Sequence, residues 1–177
     1  ESTGLRGRSS LRETDLQTGA VIRKQDVQPA YFAEGLALVG NRLIQLTWQE
    51  QTGFVYEKDT FAQLATWSYP TEGWGLAYDG KSLVMSDGSA QIRFLNPEKF
   101  TVERFITVTL EGAPVERLNE LEIVDGELWA NVWQTDQIVR IDPATGAVTG
   151  LIDLTGLLSE TDRAGGVDVL NGIAYDP

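Results

Sequence analysis

The sequence contains no cysteine and no histidine. Disulfides, Cys-rich zinc sites and any catalytic triad that relays protons through imidazole are thereby excluded. Whatever chemistry the chain performs must use carboxylates, amides, aromatics, Lys or Tyr. Basic residues are scarce: 14 stand against 26 acidic ones, for a formal charge of −12. Such a surface repels phosphate backbones and argues against a nucleic-acid partner. Nor is there an apolar run approaching the roughly 18 residues of a membrane-spanning helix. Helical 3.6-residue periodicity and low-complexity stretches are also missing.

What is present is a repeat. The 177 residues, 42% of them hydrophobic, suffice for one globular domain with a substantial core. Its organising stretch is FAEGLALVGNRLIQLTW, Phe32 to Trp48. Laid without gaps, EGLALVGNRLIQLTW (34–48) falls over WGLAYDGKSLVMSDG (74–88), NELEIVDGELWANVW (119–133) and NGIAYDP (171–177). Leu36, Leu76, Leu121 and Ile173 share one apolar column, and Leu43, Leu83 and Leu128 another. A Gly with Asn or Asp lies between the columns, as a hairpin turn requires. Each unit therefore reads as two strands and a tight turn. The units start 40, 45 and 52 residues apart, at 34, 74, 119 and 171. A period of roughly 40 to 50 residues built only of short strands is the mark of propeller blades.

The fold expected is all-β, a β-propeller, present as three to four blades of a longer ring with both ends cut. On this reading 1–31 is the rest of an early blade, 32–71, 72–117 and 118–170 are blades, and 171–177 starts the next. Outer hairpins follow each unit, with Asp15, Asp59, Asn96 and Asp142 at the turn entrances, capping local amides. Leu110 to Leu118 and Thr155 to Leu170 are longer connections, the second with a helical turn near Leu157 to Thr161. Loops mounted on rigid blades are common places for sites.

The first column of the repeat holds Glu34, Trp74, Asn119 and Asn171. In a propeller the innermost strand of every blade lines the axis, so one column becomes a ring at one height. The bland reading is a strand-start position that tolerates any polar residue, followed by Gly where backbones approach closely. Trp48 and Trp133 lie fourteen positions after Glu34 and Asn119, at the end of the second strand. There they return to the edge of the first column, where with Trp74 they either wall a pocket or pack between blades. Trp67 reads as core, and Trp129 has a weaker claim than Trp133. A carboxylate ringed by aromatics is desolvated, which raises its pKa and suits it to proton transfer near neutrality. Glu34 is that carboxylate, with Glu72 and Glu120 as rivals outside the column.

At FAEGLALVGNRLIQLTW, TEGWGLAYDG, LNELE and GELWANVWQTD the chain resembles the glutaminyl-peptide cyclotransferases of plant and bacterial type, over its whole length. The resemblance implies a five-bladed β-propeller that converts N-terminal glutamine to pyroglutamate with release of ammonia, without metal or other cofactor. It implies peptides or proteins beginning with glutamine as partners, no nucleic acid, no membrane, a monomer when full-length, and a periplasmic or secreted location. Carried over residue by residue, it makes Glu34 the proton-transferring glutamate and Asn119 a substrate-binding asparagine that helps stabilise the reacting carbonyl. Phe32, Trp48, Trp74 and Trp133 become pocket aromatics, with Asn171 added from the ring column. The family's first-blade aromatic and Gln would precede Glu1 and its active-site Lys would follow Pro177, so reduced activity is expected of this stretch alone. Two other readings stand beside it. One is a calcium-dependent lactonase or esterase propeller, because Glu34, Asn119 and Asn171 offer oxygen ligands suited to a hard cation. The other is a non-catalytic peptide-binding propeller that uses the Trp cluster as a recognition surface.

Overall fold

Alternating side chains and short Gly-containing turns reverse the chain every few residues, and the result is a series of antiparallel sheets strung in sequence order. The computed structural model describes residues 1–176. The first sheet has three strands, β1 (Ser2–Thr3), β2 (Ser10–Thr14) and β3 (Val21–Asp26). The second has four: β4 (Ala33–Val39), β5 (Arg42–Thr47), β6 (Thr52–Glu57) and β7 (Gln63–Ser68). The third comprises β8 (Leu76–Tyr78), β9 (Leu83–Met85), β10 (Gln91–Leu95) and β11 (Val102–Thr107). A small hairpin, β12 (Thr109–Leu110) with β13 (Ala113–Pro114), leads to the last sheet. That sheet is β14 (Leu118–Val124), β15 (Glu127–Val132), β16 (Gln137–Ile141) and β17 (Val148–Asp153). Each sheet is ordered as its chain runs, the pattern of propeller blades, so four blades are visible.

The sheets stack face on face, and the core lies between them. Leu11 and Val27 of the first blade pack on Ala33, Phe54, Tyr56 and Phe61 of the second. Ile44, Leu46 and Tyr69 meet Leu76, Leu83, Met85 and Leu95 of the third. Val84, Ile92, Phe94 and Ile106 meet Leu118, Leu121, Leu128, Ala130 and Ile141 of the fourth. Near the axis the packing narrows until backbone touches backbone. A Cβ on Gly35 would lie 2.5 Å from Leu76 N, and one on Gly75 would lie 2.1 Å from Asn119 O. These two glycines are close-approach positions, as the column of the repeat predicts.

The outer hairpin turns share one geometry, and it corrects one expectation. In each, the amide of the fifth residue donates to the carbonyl of the first: Gly19 to Asp15, Phe61 to Glu57, Phe100 to Asn96 and Gly146 to Asp142. Asp15, Asn96 and Asp142 accept further amides of their own turns through their side chains. In the second blade the entrance is Glu57, whose carboxylate accepts Thr60 N at 2.6 Å, and not Asp59, which sits two residues into the turn. The entrance is fixed by the five-residue backbone ring, and the longer Glu side chain spans it. The fifth residue has positive φ in all four: 70° at Gly19, 60° at Phe61, 56° at Phe100 and 81° at Gly146. Where a Phe accepts this left-handed backbone, its ring is held by a neighbouring blade. Arg23 lies 3.9 Å over Phe61, and Phe100 stacks on Trp67 at 4.5 Å.

Two connections also differ in detail from expectation. The crossover after β11 contains the β12–β13 hairpin, turned by Glu111 and Gly112 at positive φ. The helical turn of the last connection is α1, Glu160–Arg163, starting where Ser159 and Asp162 form a reciprocal capping box. Residues 171–176 run without a sheet partner, so Asn171 does not begin a strand.

Candidate active site

The first two strands of a blade fall out of register at their inner end. Between β4 and β5, Ala33 faces Thr47 and Leu36 faces Gln45, which leaves Glu34 and Gly35 in a bulge. Between β14 and β15, Leu118 faces Val132 and Leu121 faces Ala130, so Asn119 and Glu120 are displaced in the same way. Bulges re-aim side chains, and here the freed backbone turns to the next blade. Gly35 N donates to Trp74 O at 2.8 Å, while Ser86 Oγ joins Gly75 N, at 2.7 Å, to Asn119 O, at 2.6 Å. Glu34, Trp74 and Asn119 are therefore consecutive around the axis, the first two linked by a backbone bond and the last two through the Ser86 hydroxyl.

The aromatics form a continuous wall beside them. Phe32 meets Trp48 edge to face, with ring centroids 5.5 Å apart, and Trp74 meets Trp133 in the same manner at 5.4 Å. The two pairs are joined by Glu72, one of whose oxygens accepts both indole N–H groups, Trp48 at 2.8 Å and Trp74 at 2.9 Å. Gly88, with φ of 82°, lies against the Trp74 ring, where any Cβ would meet it at 2.7 Å. Trp67 has no part in this wall: it is packed between Tyr69 and Phe100. Trp129, half-buried on β15 of the fourth blade, has the Arg140 guanidinium 5.7 Å from its ring.

Burial pushes Glu34 up from the ordinary carboxylate range to about 8, with the charge of Glu72 adding to the effect. Glu120 is also raised to about 8, mainly by burial. Its carboxylate is occupied, however, accepting Ile173 N at 2.8 Å, while Asn131 beside it accepts Gly172 N at 3.0 Å. Glu120 thus anchors the stretch that follows the fourth blade, a structural task. The Asn119 side chain is buried, and its backbone carbonyl is the atom held by Ser86. Asn171 departs from the ring: it is exposed and lines an outer hollow with Leu157, Arg163 and Val167. Its backbone is fixed only through the next two residues, so nothing turns it toward the aromatics. Among the described residues no group of three or more Asp or Glu converges in the manner of a metal site.

Sequence reading missed the part played by Glu72, which stands two residues before the aligned unit and so outside every column. Ser86 and Tyr69 were missed as well. Tyr69 donates its hydroxyl to Thr47 O at 2.6 Å and receives Thr47 N, bracing the strand that ends at Trp48.

Four-stranded antiparallel sheets following one another in chain order define a β-propeller, and near its axis the raised carboxyl of Glu34 lies close to Glu72 and the indoles that Glu72 holds. The chain belongs to the glutamine cyclotransferase family, whose model matches residues 1–177. It is 44% identical to the glutaminyl-peptide cyclotransferase of Arabidopsis thaliana, over 99% of this chain and 56% of that protein. It thus spans about half the length of that curated relative. The crystal structure of Myxococcus xanthus glutaminyl cyclase superposes with a TM-score of 0.84 at 37% identity, covering 94% of this chain and 71% of that one. The WD40 β-propeller domain of Doa1 is similar in fold alone, with a TM-score of 0.56 at 11% identity, covering 82% of this chain and 49% of that one.

Proposed function

We propose that the protein to which this chain belongs is a glutaminyl-peptide cyclotransferase, closing N-terminal glutamine of peptides and proteins to pyroglutamate with release of ammonia. The observation that carries this reading is Glu34, a half-buried carboxyl raised to about 8 by desolvation and by the charge of Glu72, which holds the Trp48 and Trp74 indoles. An N-terminal amine ionises near the same pH, at about 8. A proton therefore passes between the two groups at little free-energy cost, the condition under which general acid–base catalysis works best.

The steps balance without any other reactant. The α-amine nitrogen attacks the side-chain amide carbon as its proton goes to the Glu34 carboxylate, and the new C–N bond closes a five-membered ring. The carbonyl oxygen takes up negative charge, which on this reading the Asn119 carboxamide N–H or an indole N–H stabilises. Glu34 then returns the proton to the amide nitrogen, the C–NH2 bond breaks, and ammonia leaves. Phe32, Trp48, Trp74 and Trp133 hold the glutamine side chain curled toward its own amine, which supplies the proximity an intramolecular attack exploits. The test is direct: incubate the protein with a peptide that begins with glutamine and measure ammonia. Release from that peptide, and none from one beginning with asparagine, supports the reading. Tight binding of the glutamine peptide with no ammonia would favour a non-catalytic recognition module instead.

A further inference from the structure

Glu72 is unexpected in its setting. It precedes β8 by a few residues, outside any strand, yet its side chain is half-buried among polar hydrogens that come from two blades. Trp48 ends the second strand of one blade and Trp74 enters the first strand of the next, and both indoles donate to the same oxygen, Glu72 Oε2. The other oxygen, Oε1, receives Gln49 Nε2 at 3.3 Å. Three N–H donors thus face one carboxyl, the complement of an ionised carboxylate, which can only accept. Bonds to a charged acceptor are roughly twice as strong as neutral ones, so this group fixes both rings more firmly than an amide or hydroxyl would.

We propose that Glu72 is the positioning residue of the site: it clamps the two aromatic walls to each other and presents a fixed negative charge to Glu34. The part of the proposal that concerns turnover rests on the cyclisation reading above. The charge of Glu72 contributes to keeping Glu34 protonated up to about pH 8, after burial, which is the larger cause. The other charged groups around the two are compensated. Glu50 is paired with Arg6 at 2.6 Å, and Asp87, beside the glycine that carries the Trp74 ring, with Arg93 at 2.6 Å. The Tyr69 hydroxyl, which senses Glu50 and Glu34, is itself pushed up to about 12 by burial and stays neutral. Glu72 is the acidic group here whose partners are all neutral donors.

Two variants separate the clamp from the charge. Glu72→Gln keeps an acceptor oxygen at the same reach and removes the charge; Glu72→Ala removes both. The first readout needs no substrate: NMR of the Trp48 and Trp74 indole N–H signals, with a carbon-13 titration of the Glu34 carboxyl. In Glu72→Gln the Glu34 midpoint should move to lower pH, while staying above the ordinary carboxylate range, and the indole signals should shift upfield by less than in Glu72→Ala. In Glu72→Ala the midpoint should move as well and both indole signals should shift upfield. The second readout is ammonia release. Glu72→Gln should carry the acid limb of its pH profile to lower pH at near-normal KM, whereas Glu72→Ala should raise KM about tenfold or more. The substrate amine titrates alike in all three proteins, so the displaced limb reports the enzyme. An unmoved Glu34 midpoint in Glu72→Gln overturns the charge role, and unmoved indole signals in Glu72→Ala overturn the clamp. Absence of ammonia release from the parent protein would sink the cyclisation reading and leave the NMR result to judge Glu72 by itself.

Discussion

Desolvation and the charge of Glu72 raise Glu34 to about 8, and the acid–base role proposed for it has a measurable consequence. Glu34→Gln preserves shape and removes the transferable proton. Ammonia release should fall by about 10²- to 10⁴-fold, the usual worth of general acid–base catalysis, while KM changes little. A Gln variant with parental turnover would show that the shuttle lies elsewhere. In the parent, activity should rise with pH through about 8, because the attack needs the carboxylate form of a group whose pKa is raised to that value. On the proposed function Trp133 bears on binding instead. It supports Trp74 edge to face, so Trp133→Ala should raise KM by about tenfold or more, equivalent to roughly 1.4 kcal/mol, with a smaller change in kcat. Steady-state kinetics with one glutamine dipeptide would separate the two variants.

At the scale of elements, the sequence was informative wherever a residue's task repeats from blade to blade. The columns that hold Leu36, Leu76 and Leu121 are buried or nearly so because every blade must fill the same wedge between its neighbours. The column of Glu34, Trp74 and Asn119 reads as one place because the Gly35–Trp74 backbone bond and the Ser86 hydroxyl join those segments around the axis. Residues with a task performed once were not legible. Glu72 acts on two blades from a connection, and no repeat points to it. Asn171 shares the column but not the outcome, since its segment is held by Glu120 and Asn131 rather than by a ladder. Asp59 was misplaced by two residues because Asp is the commoner turn entrance and Glu57 does the same work from further back. The column also makes a prediction about packing. In Gly75→Ala the new methyl would fall 2.1 Å from Asn119 O and 2.9 Å from Glu120 Cα, both backbone atoms. Overpacking of this kind costs about 1–3 kcal/mol, and more where backbone must shift. Urea unfolding should show a lower midpoint at unchanged slope. The same displacement moves Asn119, so activity should fall in the fraction that remains folded.

For the whole molecule, the opposing carboxylates set how stability depends on pH. Glu34 and Glu120 have folded pKa values raised from 4.5 to about 8. Between those limits the folded chain keeps two protons that the unfolded chain has released, so folding loses stability as pH rises from about 4.5 to about 8. At about 1.4 kcal/mol for each pKa unit, the loss is on the order of a few kcal/mol per group. The turn carboxylates work in the other direction. Asp15, Asp142 and Asp153 are held below their ordinary range by hydrogen bonds from their own turns. Their contribution is present above the unfolded pKa and is lost in acid. The net charge of −12 adds self-repulsion that grows toward neutrality. Together these place the stability maximum in the mildly acid range, near pH 5, below the range in which Glu34 becomes an effective base. Thermal unfolding from pH 4 to 9 would locate the maximum. Glu120→Gln, which keeps an acceptor for Ile173 N and carries no charge, should flatten the decline above pH 5 by about half while leaving the acid side unchanged. A Tm that rises steadily to pH 8 in the parent protein would show that Glu34 and Glu120 do not hold their protons in the folded state.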